Sequence, residues 1–108
     1  MIGKGIYVKL VARPGQEARV EELLNGGLAL VNEEPLTTTW YAIKFNENTF
    51  GIFDTFAGEE GRDEHLNGKL AAELMANVEL FLEGPLIEKV DVMAAKTAET
   101  SRAGSSVA

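Results

Sequence analysis

The sequence predicts an α+β domain, a four-stranded antiparallel sheet with its helices on one face. Three observations predict it. Four segments alternate with a period of two, two carry an apolar stripe of helical period, and their order along the chain is β-α-β-β-α-β. At 108 residues the chain has the size of one domain, and an apolar share of 45% is ordinary for a folded protein.

The first strand is read at Gly5–Arg13, where Ile6, Val8, Leu10 and Ala12 alternate with Tyr7, Lys9, Val11 and Arg13. Pro14-Gly15 ends it. From Gln16 to about Glu34, the residues Val20, Leu23, Leu24, Gly27, Leu28 and Val31 share one helical face. Glu17, Glu21 and Glu22 lie outside that face, towards the N-terminal end that the helix dipole makes favourable for acids. Gly26-Gly27 costs roughly 1 kcal/mol per glycine inside a helix and signals a kink or a close helix–sheet contact. Pro35 closes the segment.

Two strands follow, Thr37–Asn46 and Thr49–Ala57. A two-residue turn at Glu47-Asn48 pairs Phe45 with Phe50, Ile43 with Ile52 and Tyr41 with Asp54. On that register one face reads Tyr41, Ile43, Phe45, Phe50, Ile52, Asp54 and Phe56, while Trp40, Ala42, Lys44, Gly51 and Phe53 fall on the other. Gly58–Asn67 reads as a short acidic helix, with Gly68 as its left-handed C′ glycine. A second helical piece over Lys69–Leu82 carries Leu70, Leu74, Val78 and Phe81 on one stripe, and Gly84-Pro85 stops it. The last strand is Leu86–Lys96, alternating around Val90, Val92 and Ala94. Residues 97–108 lack apolar bulk and read as a flexible C-terminal tail, which leaves 1–96 as a single domain.

This is the split ferredoxin-like order. Two helices cover one face of such a sheet. The other face, bearing Trp40, Phe53 and Val11 or Tyr7, is too apolar to leave in water, so a homodimer is expected.

A net charge of -7 and a pI near 4.7 argue against nucleic acid and against anionic lipid as partners. The absence of cysteine excludes disulfides, thiolate chemistry and cysteine-based metal sites. No apolar run approaches the roughly 20 residues of a membrane span. Met1–Tyr7 shows neither block of a signal peptide, and a cytoplasmic location is the expectation.

The segment Val8–Gly15, the string Gly51–Phe56 and Glu64-His65-Leu66 carry a resemblance to the antibiotic biosynthesis monooxygenase family over roughly residues 5 to 96. Members show an aromatic-acid-any-aromatic string in the third strand and a histidine eleven residues after the acid. Phe53-Asp54-Thr55-Phe56 and His65 keep that spacing, with Asp for the usual Glu and Phe56 for the usual Trp. The resemblance implies a dimeric α+β barrel with a pocket between helices and sheet in each subunit. It implies a cofactor-independent monooxygenase acting on a small aromatic, quinol or anthrone-like substrate, with no cofactor and no metal. A non-catalytic dimeric small-molecule-binding or stress-related domain of the same fold is the alternative. Haem-degrading members use an asparagine, a tryptophan and a histidine at positions where this chain has Val8, His65 and Met75, which argues against that chemistry.

His65, the sole histidine, is the candidate base or hydrogen-bond donor, and Asp54 the carboxylate that orients it; these are the candidate catalytic residues. Each also has a structural reading, His65 at the edge of the apolar stripe and Asp54 as an anchor paired with Tyr41. Tyr41, Phe50, Phe56 and Met75 are candidate substrate-binding residues that can equally be core. Arg62 reads as a solvated helix residue able to bind an anionic group. Trp40 is assigned to the dimer face, and one histidine without cysteines makes no metal site.

Overall fold

The computed structural model describes residues 2–98. The elements are β1 (Lys4–Ala12), α1 (Glu17–Val31), β2 (Thr37–Lys44), β3 (Thr49–Phe56), α2 (Glu59–Leu66), α3 (Lys69–Ala76), a single 3-10 turn at Val78–Leu80 and β4 (Phe81–Asp91). The sheet is antiparallel throughout, in the order β2-β3-β1-β4. Its inner face and the helices enclose one core: Ile6, Val8, Leu10 and Ala12 from β1, Phe50, Ile52 and Phe56 from β3, Val20, Leu24 and Val31 from α1, and Leu70 and Leu74 from α3. The tail expected over 97–108 lies, from residue 99 on, outside the described residues.

The strand register departs from expectation by one residue. Asn46 Oδ1 accepts the backbone N–H groups of Asn48 and Thr49, each at 3.0 Å, and Phe45 N–H bonds Thr49 O at 2.8 Å. The loop therefore closes around three residues rather than two. Lys44 faces Phe50, Ala42 faces Ile52, and Trp40 faces Asp54. Because side chains alternate, a one-residue slip turns every side chain of the strand to the other face. Trp40 joins the core side and packs over Gly27 of α1, where an added Cβ would sit 3.4 Å from the indole and 2.9 Å from Leu70. Tyr41, Ile43 and Phe45 turn to the open face instead. Gly27 thus marks a close helix–sheet contact.

The second half differs at its joints. α3 ends at Ala76 because Asn77 folds its side-chain amide onto Glu73 O at 2.8 Å, as Asn67 does onto Asp63 O to end α2. Phe81 belongs to β4, buried opposite Ala12, and not to the end of a helix. Gly84-Pro85 lies within β4, which ends at Asp91 and not at Lys96. There the pairing shifts from Lys9–Leu86 to Val11–Glu83, an irregularity on an edge strand that tolerates proline. Gly84 takes φ +89°, and a Cβ on it would lie 2.6 Å from Lys9 O. Gly68 has φ -90°, not the left-handed value expected of it, and caps the start of α3.

Candidate active site

Asp54 stands in β3 between Ile6 of β1 and Trp40 of β2, on the inward side of the alternation, with 0% exposure. His65 reaches it from the last turn of α2. Its Nε2 lies 2.9 Å from Asp54 Oδ2, an ion-pair contact rather than a well-aligned hydrogen bond. On the other side Nδ1 lies 2.6 Å from Oε1 of Glu34. The imidazole ring also leans on Phe56, the ring centres 5.4 Å apart.

Glu34 comes from the turn after α1. It precedes Pro35, and a residue before proline is disfavoured in helical backbone, so the chain leaves the helix here. The same Oε1 accepts the Thr37 hydroxyl at 2.7 Å. Its other oxygen sits where a Cβ on Gly68 would come within 2.9 Å, so Gly68 makes room for this carboxylate. Glu34 is not among the candidate residues of the sequence. A signal was there: Val20, Leu24, Gly27 and Val31 step along the buried stripe, and the next step reaches Glu34.

Burial pushes the Asp54 carboxyl above its ordinary value, against the lowering effect of His65 and with a further push from Glu34. Burial lowers the His65 pKa, but the two flanking carboxylates outweigh it and the net direction is upward. For both groups the shift is towards the protonated form, in a row where the imidazole lies between two acids. Asp54 Oδ1 has no hydrogen-bond partner among the described residues.

Asp54 and His65 border a cavity of about 110 Å³ between sheet and helices. Its remaining walls are apolar: Ile6, Val8 and Ile52 from the sheet, Leu66, Leu70, Ala71 and Leu74 from the helices, and Met75, Pro85 and Ile87 beside them. Met75 and Ile87, 57% and 42% exposed, form the mouth.

The other candidates lie elsewhere. Tyr41 is on the opposite face of the sheet, paired with Phe53, because of the register shift. Phe50 and Phe56 are buried core residues that do not line this cavity. Arg62 is buried rather than solvated. Its guanidinium donates to Val90 O at 3.1 Å and Gly5 O at 3.4 Å, tying α2 to the β1–β4 pair, with Glu59 3.4 Å away. Among the described residues no group of three or more His, Cys, Asp or Glu side chains is arranged to hold a metal ion.

No protein-family model matches the sequence, and no curated protein does. Solved structures do. A protein of unknown function from Nitrosomonas europaea is 50% identical, with a TM-score of 0.86, over 90% of this chain and 95% of its own. A Caulobacter crescentus protein provisionally named an antibiotic biosynthesis monooxygenase is 18% identical with a TM-score of 0.73, covering 86% of this chain and 92% of that one. A protein from Chloroflexus aurantiacus with the same provisional name is 13% identical with a TM-score of 0.70, covering 88% and 97%. The chain has the fold of these two proteins. The Nitrosomonas protein is a relative in sequence as well as in fold. The two named monooxygenases share the fold, and the activity is argued from the site.

Proposed function

We propose that this chain is a cofactor-independent oxygenase acting on a small aromatic or quinol-like molecule, and that it works as a homodimer. One observation carries the reading: an apolar cavity whose polar lining is Asp54 and His65, both buried and in contact with each other. Such a site provides a base, a proton reservoir and protection from water in one place.

The step balances without a further reductant. Asp54 accepts the hydroxyl proton of a hydroquinone, and the phenolate passes one electron to dioxygen. The two radicals combine to form a ring C–O bond. The resulting peroxide is protonated from the His65 side; the oxygenated ring carbon then gives up its C–H proton to the site as the O–O bond breaks, so one oxygen leaves as water and the other remains as a carbonyl. Hydroquinone and O₂ thus give hydroxyquinone and water, with all four electrons supplied by the ring.

Oxygen uptake with hydroquinones in the presence of chelator tests this. The expected result is uptake above autoxidation, one oxygen atom from labelled O₂ in the product, and a fall of about 10²–10⁴ in turnover for Asp54→Asn. Uptake no faster than in buffer, or an Asp54→Asn variant as active as the parent, would overturn it.

A further inference from the structure

We propose that the cavity selects a neutral, single-ring hydrogen-bond donor of the phenol class and turns away both anionic aromatics and fused polycycles. This rests on reading the cavity as the substrate site, and it goes further by stating size, charge and donor requirement.

Size comes first. A cavity of about 150 Å³ suffices for benzene, and this one has about 110 Å³. A single ring is therefore the most it can hold, and part of that ring and its substituents extend into the mouth at Met75 and Ile87. Its inner walls do not yield easily, since Ile6, Val8, Ile52, Leu70 and Leu74 are each 5% exposed or less and belong to the close-packed core. The compliant wall is Met75, exposed and with an unbranched, flexible side chain. Met75 can admit a substituent but not two further rings.

Charge comes second. The groups facing one another across this site are Asp54, Glu34 and His65, two carboxylates and one imidazole. With both carboxylates ionised, the row carries a net negative charge even when the imidazole is protonated. Arg62 does not correct the balance, because its guanidinium is committed to the carbonyls of Gly5 and Val90 and it does not line the cavity. A benzoate would bring a second unbalanced anion into an apolar pocket.

The donor requirement comes third. Asp54 is wholly buried, one oxygen lies against His65, and the other has no partner among the described residues. A ligand hydroxyl supplies the missing donor; a bare ring leaves the acceptor as costly as before.

Binding under anaerobic conditions tests all three without turnover, read from the ring resonances of the sole histidine, His65, and by calorimetry. The probes are phenol, hydroquinone, toluene, benzoate, 1,4-naphthohydroquinone and anthrone. Phenol and hydroquinone are expected to bind and to shift the His65 resonances. Toluene should bind about tenfold more weakly or worse, and benzoate, naphthohydroquinone and anthrone should not bind. Leu74→Ala, which widens the inner wall, should admit naphthohydroquinone. Benzoate binding as tightly as phenol, anthrone binding to the parent protein, or toluene matching phenol would each overturn the proposal, and so would no binding by any probe. Phenol binding with no oxygen uptake leaves this ligand class standing and removes the oxygenase reading. Uptake with anthrone does the reverse.

Discussion

His65 is gripped from both sides by acid, Asp54 at 2.9 Å and Glu34 at 2.6 Å, and its behaviour with pH follows from that grip. Burial alone would lower its pKa below the ordinary 6.5, but the two carboxylates raise it above that value. Being the sole histidine, it can be titrated unambiguously by NMR. The folded protein is expected to titrate above about 6.5, and Glu34→Gln, which removes one flanking charge, should bring the value down. An unchanged midpoint in that variant would show that Glu34 does not hold the proton. The same variant should cost about 1.5–3 kcal/mol in chemical denaturation, as loss of a buried, charge-assisted hydrogen bond does. Linkage sets the sign of the pH dependence. A group whose folded pKa is raised stabilises fully below its unfolded pKa, and that stabilisation is lost as pH rises through the folded value. For His65 the loss begins near 6.5; for Asp54, also raised, it begins above 3.8 and has the same sign. Stability should therefore be lower at about pH 9 than at about pH 6, with a flatter profile in His65→Asn. Equal slopes in the two proteins would assign the decline to other groups.

At the scale of single elements, adjacent glycines in α1 make opposite demands. Gly26 faces open space, with nothing within 4 Å of an added Cβ. Gly27 lies under Leu70 and Trp40. Gly26→Ala should stabilise by about 0.5–1 kcal/mol through helix propensity, whereas Gly27→Ala should lose that gain to the crowding. Thermal melts of the two variants decide it; equal shifts would mean that Trp40 does not pack where the helix passes. Gly84 in β4 is a stricter case, with positive φ and a backbone carbonyl 2.6 Å from the would-be Cβ. Gly84→Ala is expected to destabilise by at least ~1–3 kcal/mol. It would also disturb Pro85, which lines the cavity, so ligand affinity should fall together with the melting temperature.

For the whole molecule, the unresolved demand is the open face of the sheet. Tyr41, Ile43 and Phe45 project from it at 56%, 40% and 53% exposure, beside Phe53 and Tyr7, which Tyr41 and Phe53 meet in register. An apolar face of this kind on a small chain is what a second copy buries. Sedimentation equilibrium at micromolar concentration should give a dimer, and Phe45→Glu, which plants a charge in that face, should give a folded monomer. A monomeric parent protein would remove the homodimer from the proposed function while leaving the cavity chemistry untouched.

The order of elements, the inward alternation of β1 and β3 and the presence of Asp54 on the buried side were all legible in the sequence, because each depends on a period of two or of 3.6 residues. That physics is local, and a single segment displays it. The facing of β2 was not legible. It turned on whether the Asn46 side chain would satisfy two backbone N–H groups and lengthen the loop by one residue, which moved Trp40 into the core and Tyr41 out of it. Nor was the partnership of Glu34 with His65, 31 residues apart, or the burial of Arg62 against carbonyls of β1 and β4. A charged side chain looks solvated in sequence until tertiary structure brings it a partner. Only the packed fold could supply those partners, because burying a charge is favourable solely where an opposite charge or a carbonyl is already held in place to receive it.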